Sequence, residues 1–275
     1  MRSPSPHAAA ASQPAAMRLI EALVARLHQT RHLVCGHQTL AVSAVHEARK
    51  NLKNIRAGLR MLSDAGSVDL GQANALCRDV GRLLSGLRDT DVCLLTLEGL
   101  VAATPNAREK LAARLRTRRA ELHEASAPDP RAQREIAADL AGVEQVLRGL
   151  DPGRFDESKL SHAVDLSRQL GERRYQALTA GPEPERFHDV RKAAKRELYQ
   201  RRYLAGAEGA AEQRVELLDC LGEHLGRHQD LCVLRSVAEA FGELSEALAD
   251  VIEAEIASER AQCLAMAGDA YGGRE

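Results

Sequence analysis

The sequence has 275 residues, of which 44% are hydrophobic and 3% are aromatic, so it contains enough apolar material for a substantial core. Lys and Arg number 38 against 39 Asp and Glu, and the net charge of −1 excludes a general attraction to nucleic acid or an anionic membrane. Six scattered cysteines without a C-x-x-C pair disfavour a zinc ribbon or a disulfide framework. No run of about 18 apolar residues occurs, which argues against a membrane span. We therefore expect a cytoplasmic protein with reduced thiols, in which any anion site is local.

Strong helix formers dominate the chain and predict an all-α fold. Residues 1–16, rich in Ser, Pro and Ala, are interpreted as a disordered tail, and residues 269–275 as a flexible C-terminus. Apolar periodicity between Gly and Pro breaks predicts helices in the intervening chain. These cover residues 17–35, 43–62, 72–84, 89–101, 108–124, 131–147, 157–178, 184–204, 212–225, 230–241 and 243–267. The Gly-Pro-Glu-Pro stretch at 181–184 predicts a hinge, so we divide the chain into halves at 17–180 and 181–268.

Two features of the first half recur in the second and indicate an internal duplication. The segment VHEARKNLKNIRAGLRML at 45–62 matches FHDVRKAAKRELYQRRYL at 187–204. The segment LLSGLRDTDVCLL at 83–95 aligns with HLGRHQDLCVLRS at 224–236. Because both features recur after nearly the same number of residues, coincidence is a poor explanation.

Basic residues follow one side of each repeated helix. On a wheel of about 100° per residue they lie beside the apolar stripe, at the edge of packing. The first basic face comprises His46, Arg49, Lys50, Lys53, Arg56 and Arg60. The second basic face comprises His188, Arg191, Lys192, Lys195, Arg196 and Arg202. Like charges at these spacings repel, so either carboxylates of neighbouring helices neutralise them or the faces bind a polyanion. The presence of two such faces favours a polyanion.

The order of these motifs resembles the conserved-histidine α-helical domain (CHAD) family. The resemblance rests on an H-x-x-R-x-x-x-[KR]-[KR]-x-R pattern that opens a long helix and on an R-D-x-D-V joint between two further helices. Both features recur later in the chain. The matching residues are His46, Arg49, Lys53, Arg56, the joint at 87–92, His188, Arg191, Lys195 and Arg196. The resemblance implies two pseudo-symmetric helical bundles that form one unit with a basic central groove. Asn54, Leu198 and Cys232 depart from the family pattern, so the second half is expected to bind more weakly along that edge.

The resemblance also implies a non-catalytic protein that binds inorganic polyphosphate and localises to polyphosphate granules, with granule proteins as further partners. Arg and Lys would contact successive phosphates, and His46 and His188 would donate hydrogen bonds. No cofactor is implied. The sequence contains no P-loop and no nucleophile motif. It also lacks the E-x-E-x-K signature of the triphosphate-tunnel domain that some relatives carry.

Two other functions compete with this interpretation. Binding of an RNA backbone would use the same cations, although the scarcity of aromatic residues disfavours base stacking. A metal-dependent phosphohydrolase would use two histidine pairs at i, i+4 spacing. These pairs are His28 with His32 and His224 with His228. The acidic residue of such a phosphohydrolase would be Asp89 or Asp91. Their position before an apolar helix instead favours helix capping, as does Asp230 at the equivalent place.

Overall fold

The structure is a computed structural model that describes residues 13–36, 41–84, 86–100, 105–125, 130–204 and 210–273. Within these ranges the secondary structure is entirely helical, which confirms the all-α prediction. The helices are α1 Ala15–Val34, α2 Val42–Gly66, α3 Gly71–Leu83, α4 Gly86–Glu98, α5 Pro105–Ala125, α6 Pro130–Arg148, α7 Glu157–Ala180, α8 Pro184–Leu204, α9 Ala210–Ala240 and α10 Glu246–Tyr271. A short 3₁₀ turn, Pro152–Arg154, precedes α7. No helix in the described part of the chain is long and apolar enough to cross a membrane.

The two chain ends differ from the sequence prediction by a few residues. Helix α1 begins at Ala15, inside the predicted tail, because Ala16 is buried and starts the apolar stripe. Helix α10 runs to Tyr271, so the predicted flexible C-terminus at 269–275 is corrected for residues 269–271. The Tyr271 ring packs closely against Gly171, where a side chain would collide with it. Most of the predicted tail, residues 1–12, lies outside the described residues, as do residues 274–275.

Helix α9 is one continuous helix where the sequence predicted two, at 212–225 and 230–241. Residues 226–229, where the sequence predicted a break between two helices, are helical, and side chains around this segment bond to α10. His224 and Arg227 both bind Glu259, at 2.8 and 2.9 Å. Asp230 therefore lies inside a helix and does not cap one, which corrects that part of the prediction. The corresponding segment of the first half is divided between two helices, because α3 ends at Leu83 and α4 begins at Gly86. The two halves therefore differ at this point, and the internal duplication stays a prediction.

The chain packs into two compact units that alternate along the sequence. Unit 1 comprises Met1–Arg82, Pro130–Gln169 and Arg196–Val215. Unit 2 comprises Leu83–Asp129, Leu170–Lys195 and Glu216–Glu275. The predicted division at residues 180 and 181 follows the sequence repeat and not this packing, and it stays a prediction.

The core of unit 1 forms where α1 packs on α2. Leu19, Leu23 and Leu27 form one stripe of α1 and are at most 1% exposed. At Gly58 of α2 the helices approach closely, and a Cβ there would lie 2.5 Å from the Leu23 side chain. This packing fixes which side of α2 faces the core.

The end of α2 also departs from the expected stop. The sequence predicted a helix over residues 43–62, but α2 continues to Gly66, and Ser67 adopts the left-handed conformation, with φ of 50°. Gly66 is still helical and faces the Phe155 ring, which leaves no room for a side chain. A requirement for close packing therefore explains this glycine.

The core of unit 2 is built by α4, α5, α9 and α10. Leu97, Leu111, Leu231 and Ile252 are each at most 1% exposed and belong to one apolar cluster. Ser245 caps α10, because its side-chain oxygen accepts a hydrogen bond from the Leu248 backbone N–H at 3.3 Å. This core supports the part of α9 that packs against α8.

Candidate anion-binding faces

The first basic face lies beside the buried stripe of α2, as the helical wheel predicted. Val45, Leu52 and Ile55 are at most 2% exposed and face the core. The three exposed members of the face are His46, Lys50 and Lys53, and the three half-buried members are Arg49, Arg56 and Arg60. The half-buried cations are held close to the protein, and the exposed ones extend into solvent.

Neutral groups of α3 position two of the half-buried arginines. Arg49 Nη1 donates a hydrogen bond to the Gly81 carbonyl at 2.6 Å. Arg56 Nε donates to Asn74 Oδ1 at 3.1 Å. Burial lowers the pKa of Arg56, as do the positive charges of Arg78 and Arg82, while Cys77 and Asp79 oppose this shift. An amide oxygen orients the Arg56 guanidinium without cancelling its charge.

Arg60 lies near two other cations, Arg56 and Arg196. The pKa of Arg60 is lowered to about 10, mainly by burial and then by the charges of Arg56 and Arg196, with Asp64 opposing them. Among the described residues no carboxylate lies within salt-bridge distance of Arg56 or Arg60. Asp64, one turn beyond Arg60, instead accepts a hydrogen bond from Arg196 Nη2 at 2.6 Å. Direct salt bridges therefore do not hold Arg56 and Arg60, and Asp79 and Asp64 act on them only at longer range, where each raises the pKa of its neighbouring arginine.

Carboxylates pair with cations of the second basic face, as Glu47 does with Lys50 of the first face at 3.5 Å. Lys192 Nζ lies 3.2 Å from Asp189, and Lys195 Nζ lies 2.9 Å from Asp219. His188 and Arg191 are half-buried, Lys192 and Arg202 are exposed, and Arg196 bonds with Asp64 as described above. An anion that approached Lys192 or Lys195 would compete with a resident carboxylate. Weaker binding by the second half, expected from the departures in sequence, stays a prediction, and these pairs would act in the same direction.

Two glycines of α9 lie under the cations of α8. A Cβ at Gly226 would lie 3.2 Å from Arg191 Nη2. A Cβ at Gly222 would overlap the end of the Lys195 side chain. The absence of side chains at these two positions lets Arg191 and Lys195 lie flat against the backbone of α9.

His188 is less basic than an ordinary histidine. Its Nδ1 and Gln229 Oε1 are 2.6 Å apart. Burial lowers its pKa, opposed by the Gln229 hydrogen bond, and the charges of Lys192 and Arg191 lower it further. His188 is therefore mainly neutral near pH 7, and it would meet a phosphate as a hydrogen-bonding group without charge.

The histidine pairs considered for a metal have other partners. His28 Nε2 lies 2.9 Å from Glu144, and His224 Nδ1 lies 2.8 Å from Glu259. His228 is buried and stacks on Phe187. In the described part of the chain, no group of three or more His, Cys, Asp or Glu side chains is placed to hold a metal ion.

Asp91 also has a role that the sequence did not predict. It lies within α4 and accepts a hydrogen bond from Arg119 Nε of α5 at 2.8 Å, so it links two helices and does not cap one. The side chain of Asp89 lies outside the described residues. The interpretation of these acids as caps is therefore corrected at Asp91.

Sequence reasoning missed a buried carboxylate, Glu197, on the helix that carries the second face. Glu197 is 0% exposed and accepts hydrogen bonds from Arg201 at 2.8 Å and from Arg214 at 3.0 and 3.1 Å. The i, i+4 spacing of Glu197 and Arg201 was a usable signal. The contact with Arg214 depends on tertiary packing and was not visible in the sequence.

Comparison with known proteins places this arrangement in a family. Residues 4–239 match the family described as CHAD domain. The crystal structure of the CHAD domain from the plant Ricinus communis has a TM-score of 0.68 at 17% identity, covering 95% of this chain and 93% of that chain. PptA from Streptomyces chartreusis has a TM-score of 0.61 at 17% identity, covering 94% and 98%. No curated protein matches by sequence. Because the family match spans most of the sequence, the chain belongs to the CHAD domain family.

Proposed function

We propose that this protein binds inorganic polyphosphate, without catalysing a reaction, and that it associates with polyphosphate granules. The observation that carries the proposal is the environment of Arg60. This half-buried guanidinium lies near Arg56 and Arg196, whose positive charges lower its pKa, while Asp64 acts in the opposite direction. An anion bound here would relieve repulsion between like charges.

The chemistry of the first basic face suits phosphate. Guanidinium groups donate paired hydrogen bonds to phosphate oxygens, and such charge-assisted bonds are stronger than neutral ones. Arg49, Lys53, Arg56 and Arg60 follow each other at intervals of about one helical turn, or 5.4 Å. A chain of linked phosphates can therefore contact them in succession, whereas an isolated phosphate can contact only one or two.

The second basic face would contribute less per cation. Asp189 and Asp219 hold Lys192 and Lys195, so a phosphate gains an attraction there only after it replaces a carboxylate. Arg191, which lies flat over Gly226, is the best-positioned cation of this face. We therefore assign the larger share of binding to the first face.

Replacement of Arg60 by Ala tests the proposal. Loss of a charged hydrogen-bond donor costs about 1.5–3 kcal/mol, so titration with long-chain polyphosphate should show affinity reduced by about tenfold or more. Arg118→Ala is the matched control, since Arg118 is an exposed arginine that already pairs with Glu121 at 3.1 Å. The control should bind like the wild type.

The contrary results are equally specific. Equal losses in the two variants would show that only general charge matters, and unchanged affinity after Arg60→Ala would contradict the assigned site. A competition between polyphosphate and RNA belongs to the same experiment. Displacement of polyphosphate by RNA at equal phosphate concentration would favour the alternative of nucleic-acid binding.

A further inference from the structure

A pocket of about 560 Å³ lies between the first part of α8 and the middle of α9, within unit 2. Small-molecule sites commonly occupy about 300–1,000 Å³. Most of the pocket wall is apolar and includes Cys232, Val233 and Val237. An inorganic phosphate chain has no apolar surface to bury, so the proposed polyphosphate binding leaves this wall without a role.

Two polar side chains, His188 and Gln229, line the same pocket and hydrogen-bond to each other at 2.6 Å. Each retains a second polar atom, Nε2 of His188 and one end of the Gln229 amide. Whichever residue donates the shared hydrogen bond, the remaining two atoms offer one donor and one acceptor side by side. Such a pair complements the edge of a planar heteroaromatic ring, as an amide side chain complements the N6 and N7 atoms of adenine.

His228 gives a second indication of a ligand. It lines the pocket, is 1% exposed, and stacks on Phe187 with 4.5 Å between ring centroids. Among the described residues, Nε2 of His228 has no hydrogen-bond partner. A buried polar atom without a partner carries a free-energy cost, which a bound ring could remove only if the imidazole shifted to uncover this atom.

Charged groups surround the mouth of the pocket. Lys192 lines it, and Arg191 is the preceding residue of α8. Two carboxylates are also present, Asp189, which pairs with Lys192 and Arg174 at 3.2 Å each, and the exposed Glu185. Phosphates attached to a ring in the pocket would therefore compete with Asp189 for these cations.

We propose that this pocket binds the base of a nucleoside polyphosphate, whose phosphates contact Lys192 and Arg191 of the second basic face. The inference rests on the proposed function, because the phosphates would use cations of that face. It extends the ligand class from inorganic phosphate chains to phosphate chains that carry a planar base.

Titration calorimetry with ATP and with inorganic tripolyphosphate tests this proposal, since both ligands carry three linked phosphates. We expect ATP to bind the wild type about tenfold more tightly, because the base adds apolar burial and hydrogen bonds. Val233→Phe fills the pocket and should abolish this difference without changing the affinity for tripolyphosphate. Val146→Phe is the matched control, because Val146 is 44% exposed on α6, and it should keep the difference.

Equal affinities of the wild type for the two ligands would overturn the pocket and leave polyphosphate binding intact, as would an unchanged preference in Val233→Phe. If Val233→Phe loses helicity, Gln229→Leu supplies the same test, because it removes hydrogen-bonding groups without adding bulk. If no polyphosphate of any length binds the wild type, the proposed function fails by itself. Titration with adenosine then decides the pocket, for which binding abolished by Gln229→Leu is supportive and absence of binding is contrary.

Discussion

At the scale of single residues, His188 links polyphosphate binding to pH. Its pKa in the folded protein lies below the ordinary value of 6.5, with burial as the main cause. A protonated His188 would gain attraction to a polyanion, so binding should raise its pKa. We therefore expect affinity for long-chain polyphosphate to increase as the pH falls from about 7.5 to about 5.5.

The variant His188→Gln isolates this contribution. His46 is a second histidine, exposed on the first face, so the informative quantity is the difference in pH dependence of affinity between the wild type and the variant. A pH dependence that is identical in both proteins would contradict the role of His188. In the absence of ligand, the free energy of unfolding falls as the pH is lowered, whereas the affinity rises. The reason is that the unfolded chain takes up the proton at a higher pH than the folded chain. The stability that the neutral ring provides above pH 6.5 is lost as the pH falls towards the folded-state pKa.

Glu197 should determine stability more than binding. Its replacement by Gln keeps an acceptor oxygen but removes the charge that balances Arg201 and Arg214, at a site where the carboxylate is 0% exposed. Breaking a buried ion pair typically costs about 3–5 kcal/mol of unfolding free energy. Urea denaturation should show a loss on this scale.

The control for that measurement is Glu253→Gln. Glu253 is 52% exposed and pairs with Arg235, so its loss should cost less than about 1 kcal/mol. Similar midpoints for the two variants would show that Glu197 carries no special share of the stability.

At the scale of helices, a substitution at a glycine of α9 should change polyphosphate binding without lowering the free energy of unfolding. A glycine inside a helix costs about 0.5–1 kcal/mol relative to alanine, so Gly222→Ala gains helix propensity. The new Cβ displaces Lys195, and the bond to Asp219 at 2.9 Å is lost with it. We expect unfolding free energy that is unchanged or slightly higher, together with weaker binding of polyphosphate, because the displaced Lys195 ammonium no longer lies beside Arg191 on the second basic face.

Gly142→Ala is the matched control for this substitution. Gly142 lies in α6, and a Cβ there would meet nothing within 4 Å. This variant should be more stable and should bind normally. If Gly222→Ala and Gly142→Ala bind polyphosphate equally well, the placement of Lys195 over Gly222 does not matter for the ligand.

The helices also show where local sequence signals are sufficient. The stripe that includes Leu52 and Ile55 predicted which side of α2 faces the core, and the half-buried position of Arg56 follows from that side. The continuous α9 could not be predicted, because the bonds of His224 and Arg227 to Glu259 connect residues far apart in the sequence. Asn54, which departs from the family pattern, is buried and donates a hydrogen bond to the Lys50 carbonyl at 2.9 Å.

At the scale of the whole molecule, the net charge of −1 conceals local asymmetry. Lys192, Lys195 and Arg196 of the second face form direct salt bridges with carboxylates. Arg56, in contrast, donates to an amide oxygen, and the carboxylates near Arg56 and Arg60 act at longer range. This difference could not be predicted from the basic motifs, which look alike in the two segments. It depends on where Asp64, Asp189 and Asp219 are placed by packing.

The salt dependence of long-chain polyphosphate binding tests the central claim most directly. Each neutralised phosphate releases counterions, so the logarithm of the affinity should fall linearly with the logarithm of the salt concentration, as it does for nucleic acid. The wild type should show a steep slope, and Arg60→Ala should reduce it by about one unit. An affinity that does not respond to salt, or a slope that Arg60→Ala leaves unchanged, would contradict a polyphosphate site on the first basic face.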